Sequence, residues 1–149
     1  MNSSFTLIAL ILFLNPGSIQ EVSAVPALCD KPAAIHFSPG RSAGQVDGGI
    51  APGTLACWTL SAQRDQVMSA KITSTGQNAV FQIYRPGWKV SQSDGDIVFT
   101  GTALSGATES DGASAWTGKL PESGQFLFVL GSIRGGSDYR LNVRITPGH

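Results

Sequence analysis

Apolar and polar residues alternate with a period of two along most of this chain. No stretch of ten or more residues holds the roughly 3.6-residue period of a helix. Near the C-terminus, Tyr139, Leu141, Val143 and Ile145 fall on one face and Arg140, Asn142 and Arg144 on the other, as in an antiparallel strand with one solvated side. Val67 to Ile72 behaves likewise, with Met68, Ala70 and Ile72 sharing a face. The same test predicts strands over 43–50, 55–62, 79–84, 97–101, 113–120 and 125–131. The run QFLFVLG at 125–131 is apolar on both faces, which predicts a central strand covered on both sides. Turn signals separate the runs at Ala51-Pro52-Gly53, Arg85-Pro86-Gly87 and Pro121-Glu122-Ser123-Gly124. About eight short strands punctuated in this way make one all-β domain, an antiparallel sandwich or small barrel.

The first residues follow another rule. Phe5 to Leu14 is an uninterrupted apolar run, too short to span a bilayer, which takes about 20 residues, but suited to the core of a signal peptide. Asn15-Pro16-Gly17 breaks it, and Val22-Ser23-Ala24 supplies the small residues of a cleavage site. Cleavage is expected after Ala24, with Ala27 as second choice. The chain then divides into a signal peptide (1–24), an N-terminal arm (25–34) and the sandwich (35–146).

Removal of the signal leaves about 125 residues and a net charge of about +1. So even a balance projects no long-range field, which argues against nucleic acid or an anionic membrane as partner. A chain of this size buries roughly two-thirds of its unfolded surface, so it folds without metal or cofactor. Cys29 and Cys57 remain. An isolated pair in an exported protein most often forms one disulfide, which would close a loop of about 28 residues and stabilise the fold by about 3–4 kcal/mol. Two free structural thiols are the alternative, and a zinc site lacks ligands. If Trp58 and Leu60 face the core, the pleat turns Cys57 and Thr59 outward.

Six blocks of sequence occur in an order that resembles a known family. They include Phe37-Ser38-Pro39-Gly40, Cys57-Trp58-Thr59-Leu60 and Ala62-Gln63-Arg64-Asp65-Gln66-Val67-Met68. Asn78-Ala79-Val80-Phe81-Gln82-Ile83-Tyr84-Arg85-Pro86-Gly87, Trp116-Thr117-Gly118-Lys119-Leu120-Pro121-Glu122-Ser123-Gly124 and Asp138-Tyr139-Arg140-Leu141 continue the series. This order is similar to the PPC-like (bacterial pre-peptidase C-terminal) sandwich and, within it, to the periplasmic lysozyme inhibitors, over about 35–145. The resemblance implies a jelly-roll-like sandwich in the bacterial envelope that inhibits lysozyme by inserting a loop into the enzyme cleft. Two family features are missing. Neither Ser105-Gly106 nor Ser123-Gly124 continues into the Ser-Gly-x-x-Tyr motif, and the Arg-rich stretch before the last strand is reduced to Arg134-Gly135-Gly136.

The chain carries little that supports catalytic chemistry. Gly40-Arg41-Ser42-Ala43-Gly44 matches G-x-S-x-G formally, but the elbow requires a strand before it, a helix after it and a downstream histidine. Here Pro39 precedes, a β pattern follows, and the only later histidine is His149. His36 has no evident partner. Ser93-Asp94-Gly95-Asp96 offers too few oxygens for calcium and reads as a polar turn.

The expected function is therefore binding, not catalysis. Trp58, Phe81, Trp116, Phe126, Phe128 and Tyr139 read as core. Trp88 lies in a loop with Lys89, either exposed as a contact residue or folded back to cap the sandwich. Candidate contact residues are Arg85, Trp88, Lys89, Asp94, Glu109 and Arg134, in loops expected at one end of a rigid scaffold. The partner is a lysozyme-type glycoside hydrolase, with a polysaccharide or another envelope protein as the alternative. No cofactor is called for, and a homodimer remains open.

Overall fold

A computed structural model describes residues 28–148. The expected signal peptide, its cleavage site and the start of the arm lie outside the described residues. The elements in chain order are β1 (Ala33–Ala34), β2 (Ala43–Ile50), β3 (Ala56–Ala62), β4 (Val67–Ser74) and β5 (Ala79–Tyr84). They continue with β6 (Lys89–Ser93), β7 (Asp96–Thr100), β8 (Ala115–Lys119), β9 (Gly124–Ser132) and β10 (Ser137–Thr146). A short 3₁₀ turn, Thr75–Gln77, links β4 to β5.

The strands form two four-stranded sheets, β1-β3-β9-β5 and β2-β10-β4-β8, and a separate hairpin, β6-β7. From β2 to β5 and from β8 to β10, each successive strand lies in the other sheet. Double-sheet jelly rolls are built this way, and it follows from pairing half-apolar strands across one interior. That interior holds Trp58, Leu60, Met68, Ile72, Phe81, Phe126, Phe128, Leu141 and Val143, all buried. These are the inward positions that the alternation predicts.

The segment between β7 and β8 completes the first sheet without being a strand. Leu104 N–H donates to the Ile83 carbonyl, while the N–H groups of Ile83, Phe81 and Arg85 donate to the carbonyls of Ala107, Ala113 and Thr102. The free edge of β5 is thus covered by irregular chain, and Leu104 and Ala107 are buried there.

Three sequence expectations need correction. The strand count rises because β1 and β6 were not foreseen, and β1 pairs parallel with β3. Residues 89–93, expected as loop, pair with β7 through a two-residue connection, Asp94-Gly95, with φ of 53° and 85°. Positive φ at both central residues defines a type I′ turn, for which Asp-Gly is a favoured pair. Finally, Cys57 and Thr59 do point away from the main interior, but both are buried. The hairpin lies over Cys57, with Val90, Ile97 and Phe99 packed against Cys29, Cys57, Leu127 and Val129. The apolar reading of β9 on both faces is borne out by this second layer.

One polar contact ties the two sheets together inside. Trp58 Nε1 donates to Tyr139 Oη at 2.8 Å, and both groups are buried. The Tyr139 ring lies over Gly48, where a Cβ would come within 2.6 Å of the phenol oxygen. Gly48 is therefore glycine because the ring occupies the space a side chain would need.

Candidate functional site

The sandwich has two ends and two outer faces, and the candidate residues are distributed among them. At the end where β5 runs out and β9 begins, Arg85 is engaged by Glu122, with Nε donating to Oε2 at 2.7 Å. That pairing holds the turn after β5 to the turn before β9, so its guanidinium is already committed. Trp88 is folded back instead of exposed. Its Nε1 donates to the Gln125 carbonyl at 2.9 Å, and the ring packs half-buried on the layer above Leu127. Lys89 opens β6 in solvent, and Asp94 occupies the hairpin turn.

Glu109 stands exposed in the segment that covers β5. Its charge and, more strongly, burial push the Tyr84 phenol above its usual range. Nearby Asp111 accepts from both the hydroxyl and the backbone N–H of Thr108, which holds its carboxyl below the usual carboxylate range. This is a self-capped loop and does not present free carboxylates in a cluster.

Arg134 is at the opposite end, in the crossing from β9 to β10. Asn78 grips that loop on both sides. Its carbonyl accepts from Ile133 N–H at 2.8 Å, and its amide Nδ2 donates to the Arg134 carbonyl. Ser132 Oγ donates to the same carbonyl at 3.1 Å. The backbone is thereby fixed while the side chains of Ile133 and Arg134 face solvent. So the fold does not gather the six candidates into one site, and Arg134 stands apart from the rest.

The Ser42 region leads into β2, with no helix after it, so the elbow geometry does not form. His36 is exposed. Among the described residues there is no group of three or more His, Cys, Asp or Glu able to hold a metal ion. Likewise among the described residues, no helix is long and apolar enough to cross a membrane. Cys29 and Cys57 form a disulfide, which staples the start of the described chain to the outer side of β3.

One feature was not foreseen. Leu55 and Ile133 are exposed by 41% and 63% at the end that carries Arg134. Leu55 opens the run expected at 55–62 and Ile133 follows the run at 125–131, so alternation gives each a face but does not show that the face is left uncovered.

The described residues thus make a disulfide-stapled jelly-roll sandwich that offers loops and faces for recognition. No family model matches the sequence, and no curated protein matches it. Solved structures do. The Aeromonas hydrophila periplasmic lysozyme inhibitor of g-type lysozyme is similar with 25% identity and a TM-score of 0.57, over 76% of this chain and 95% of that one. A mutant of the Escherichia coli periplasmic lysozyme inhibitor of g-type lysozyme matches at 15% identity and a TM-score of 0.50, over 76% of this chain and 96% of that one, a likeness of fold alone. The Aeromonas hydrophila protein bears the function of the family that the sequence blocks resemble.

Proposed function

We propose that this chain is an exported, non-catalytic protein of the periplasm that inhibits a g-type lysozyme by binding it. The observation that carries the reading is the likeness to the Aeromonas hydrophila inhibitor, which spans nearly all of that protein. The order of sequence blocks supports the finer assignment to a PPC-like sandwich, with cleavage after Ala24 and the binding domain over 35–146.

The contact is assigned first to Arg134. A glycoside hydrolase cleft carries a pair of carboxylates, and an arginine can meet a carboxylate with two parallel hydrogen bonds. The loop is held by Asn78 and Ser132 before any partner arrives, so little ordering is lost on binding. Arg85, Trp88, Lys89, Asp94 and Glu109 lie on other elements, with Arg85 held by Glu122 and Trp88 folded onto Gln125, and are left outside this contact.

The test is an inhibition assay of the purified mature protein against lysozymes of the goose, chicken and invertebrate types. Inhibition of the goose type at micromolar protein is expected. No inhibition of any type at micromolar excess overturns the reading.

A further inference from the structure

At the Arg134 end, the outer side of the first sheet is apolar and uncovered. Leu55 and Val80 flank Gly131 from the neighbouring strands; Val80 is the register partner of Gly131, and Leu55 Cδ2 lies 3.2 Å from where a glycine Cβ would stand. Ile133, two residues further along, extends the pairing past the end of β9, its N–H donating to the Asn78 carbonyl, and so falls on the same face. The result is a notch floored by bare backbone and walled by three apolar side chains. Large exposed apolar side chains gathered in one place mark interaction surfaces more often than scattered ones do.

We propose that Leu55, Val80 and Ile133 form the apolar anchor of the lysozyme contact, a step that rests on the function proposed above. The occupant is the lip of the enzyme's saccharide cleft, which seats an apolar or aromatic side chain over Gly131 while Arg134 reaches the cleft carboxylates. Both halves of that match are chemical. Binding clefts are lined mainly by hydrophobic and aromatic groups with a few charged ones, and those of glycoside hydrolases include the acidic pair. An apolar centre beside a cation at its rim is also the arrangement in which interface energy concentrates. The outer face of the second sheet lacks it: Arg140, Asn142 and Arg144 project there.

The experiment titrates a goose-type lysozyme with the unaltered protein and with Ile133→Ser, Leu55→Ser and Val98→Ser, and records each variant's melting temperature. Val98 is an exposed apolar residue on β7, outside the notch, and serves as the control. Inhibition should weaken about 10–100-fold for Ile133→Ser and by a smaller factor for Leu55→Ser, with Val98→Ser unchanged. Ile133→Val should restore most of the loss, which separates the notch from a general folding defect. If the unaltered protein inhibits and both notch variants match it, the anchor is overturned while the lysozyme reading stands. An equal loss in Val98→Ser overturns it as well. If the unaltered protein inhibits nothing, both fall.

Discussion

On the outer side of the first sheet, Leu127 and Val129 of β9 are buried beneath the β6-β7 hairpin and the Cys29–Cys57 disulfide. On the outer side of the second sheet, Arg140, Asn142 and Arg144 of β10 stand in solvent. The two strands are otherwise equivalent. Each is flanked by a strand on both sides, and each sends alternate residues into the same interior. A central place in a sheet therefore does not decide whether a strand is buried on both faces. A second apolar layer decides it, and the sequence records the layer as an unbroken apolar run in β9 against strict alternation in β10.

The largest expected effect tests that contrast directly. Leu127→Ala should cost about 2–5 kcal/mol, because it opens a cavity between sheet and hairpin, whereas Asn142→Ala should stay within about 0.5 kcal/mol. Urea unfolding of both variants measures the difference. Equal shifts in midpoint would mean that the hairpin is not packed as a true layer. Next comes the staple. Replacing both cysteines, Cys29→Ala with Cys57→Ala, should lower stability by about 3–4 kcal/mol through the freed 28-residue separation. Calorimetry reads this as a lower melting temperature. An unchanged one would show that the hairpin alone holds the outer layer.

The third effect concerns the interior that both strands share. Tyr139→Phe leaves Trp58 Nε1 buried without an acceptor and should cost about 1–3 kcal/mol. It should also change the response to alkali. Burial, more than the nearby Asp47 charge, raises the Tyr139 phenol above its ordinary value near 10.0, against the lowering effect of the Trp58 bond. The folded state therefore holds that proton more tightly than the unfolded chain. Its contribution is complete below about pH 10 and declines as the pH rises further. The variant should lose this part of the alkaline decline in stability, measured by denaturant titration from pH 8 to about 11. An unaltered slope would place the titration elsewhere.

How far the molecule could be read in advance follows from the same physics. The eight main strands were legible because a half-buried strand must alternate, and β4 and β10 do so over their whole length. β6 was not, because Lys89, Ser91, Gln92 and Ser93 face solvent and only Val90 packs inward, so the apolar signal is one residue deep. The Asp94-Gly95 pair was the available clue to that hairpin. β1 has two residues and is held by its register beside Trp58 and Thr59 and by the disulfide, which are tertiary facts. The candidate contact residues were chosen as charged or aromatic loop positions, and the chain alone could not show that Arg85 is spent on Glu122 or that Trp88 turns back onto Gln125. Ile133 and Leu55 escaped for another reason: at the ends of the runs at 125–131 and 55–62, alternation assigns a face but cannot tell whether a second layer covers it.

The smallest effect is expected from the ion pair on the bare face. Arg140 Nε meets Asp47 Oδ1 at 2.9 Å across the β10-β2 pairing, with both side chains 57% exposed. At that exposure water and salt screen most of the attraction, and two long side chains lose freedom to hold the geometry. Arg140→Ala should therefore change stability by less than about 0.5 kcal/mol, and the difference from wild type should vanish as salt rises from about 0.05 to 1 M. Denaturant midpoints at the two salt concentrations provide the check. A loss of several kcal/mol that survives high salt would mean that this face is covered after all, and the contrast between the two outer faces would have to be withdrawn.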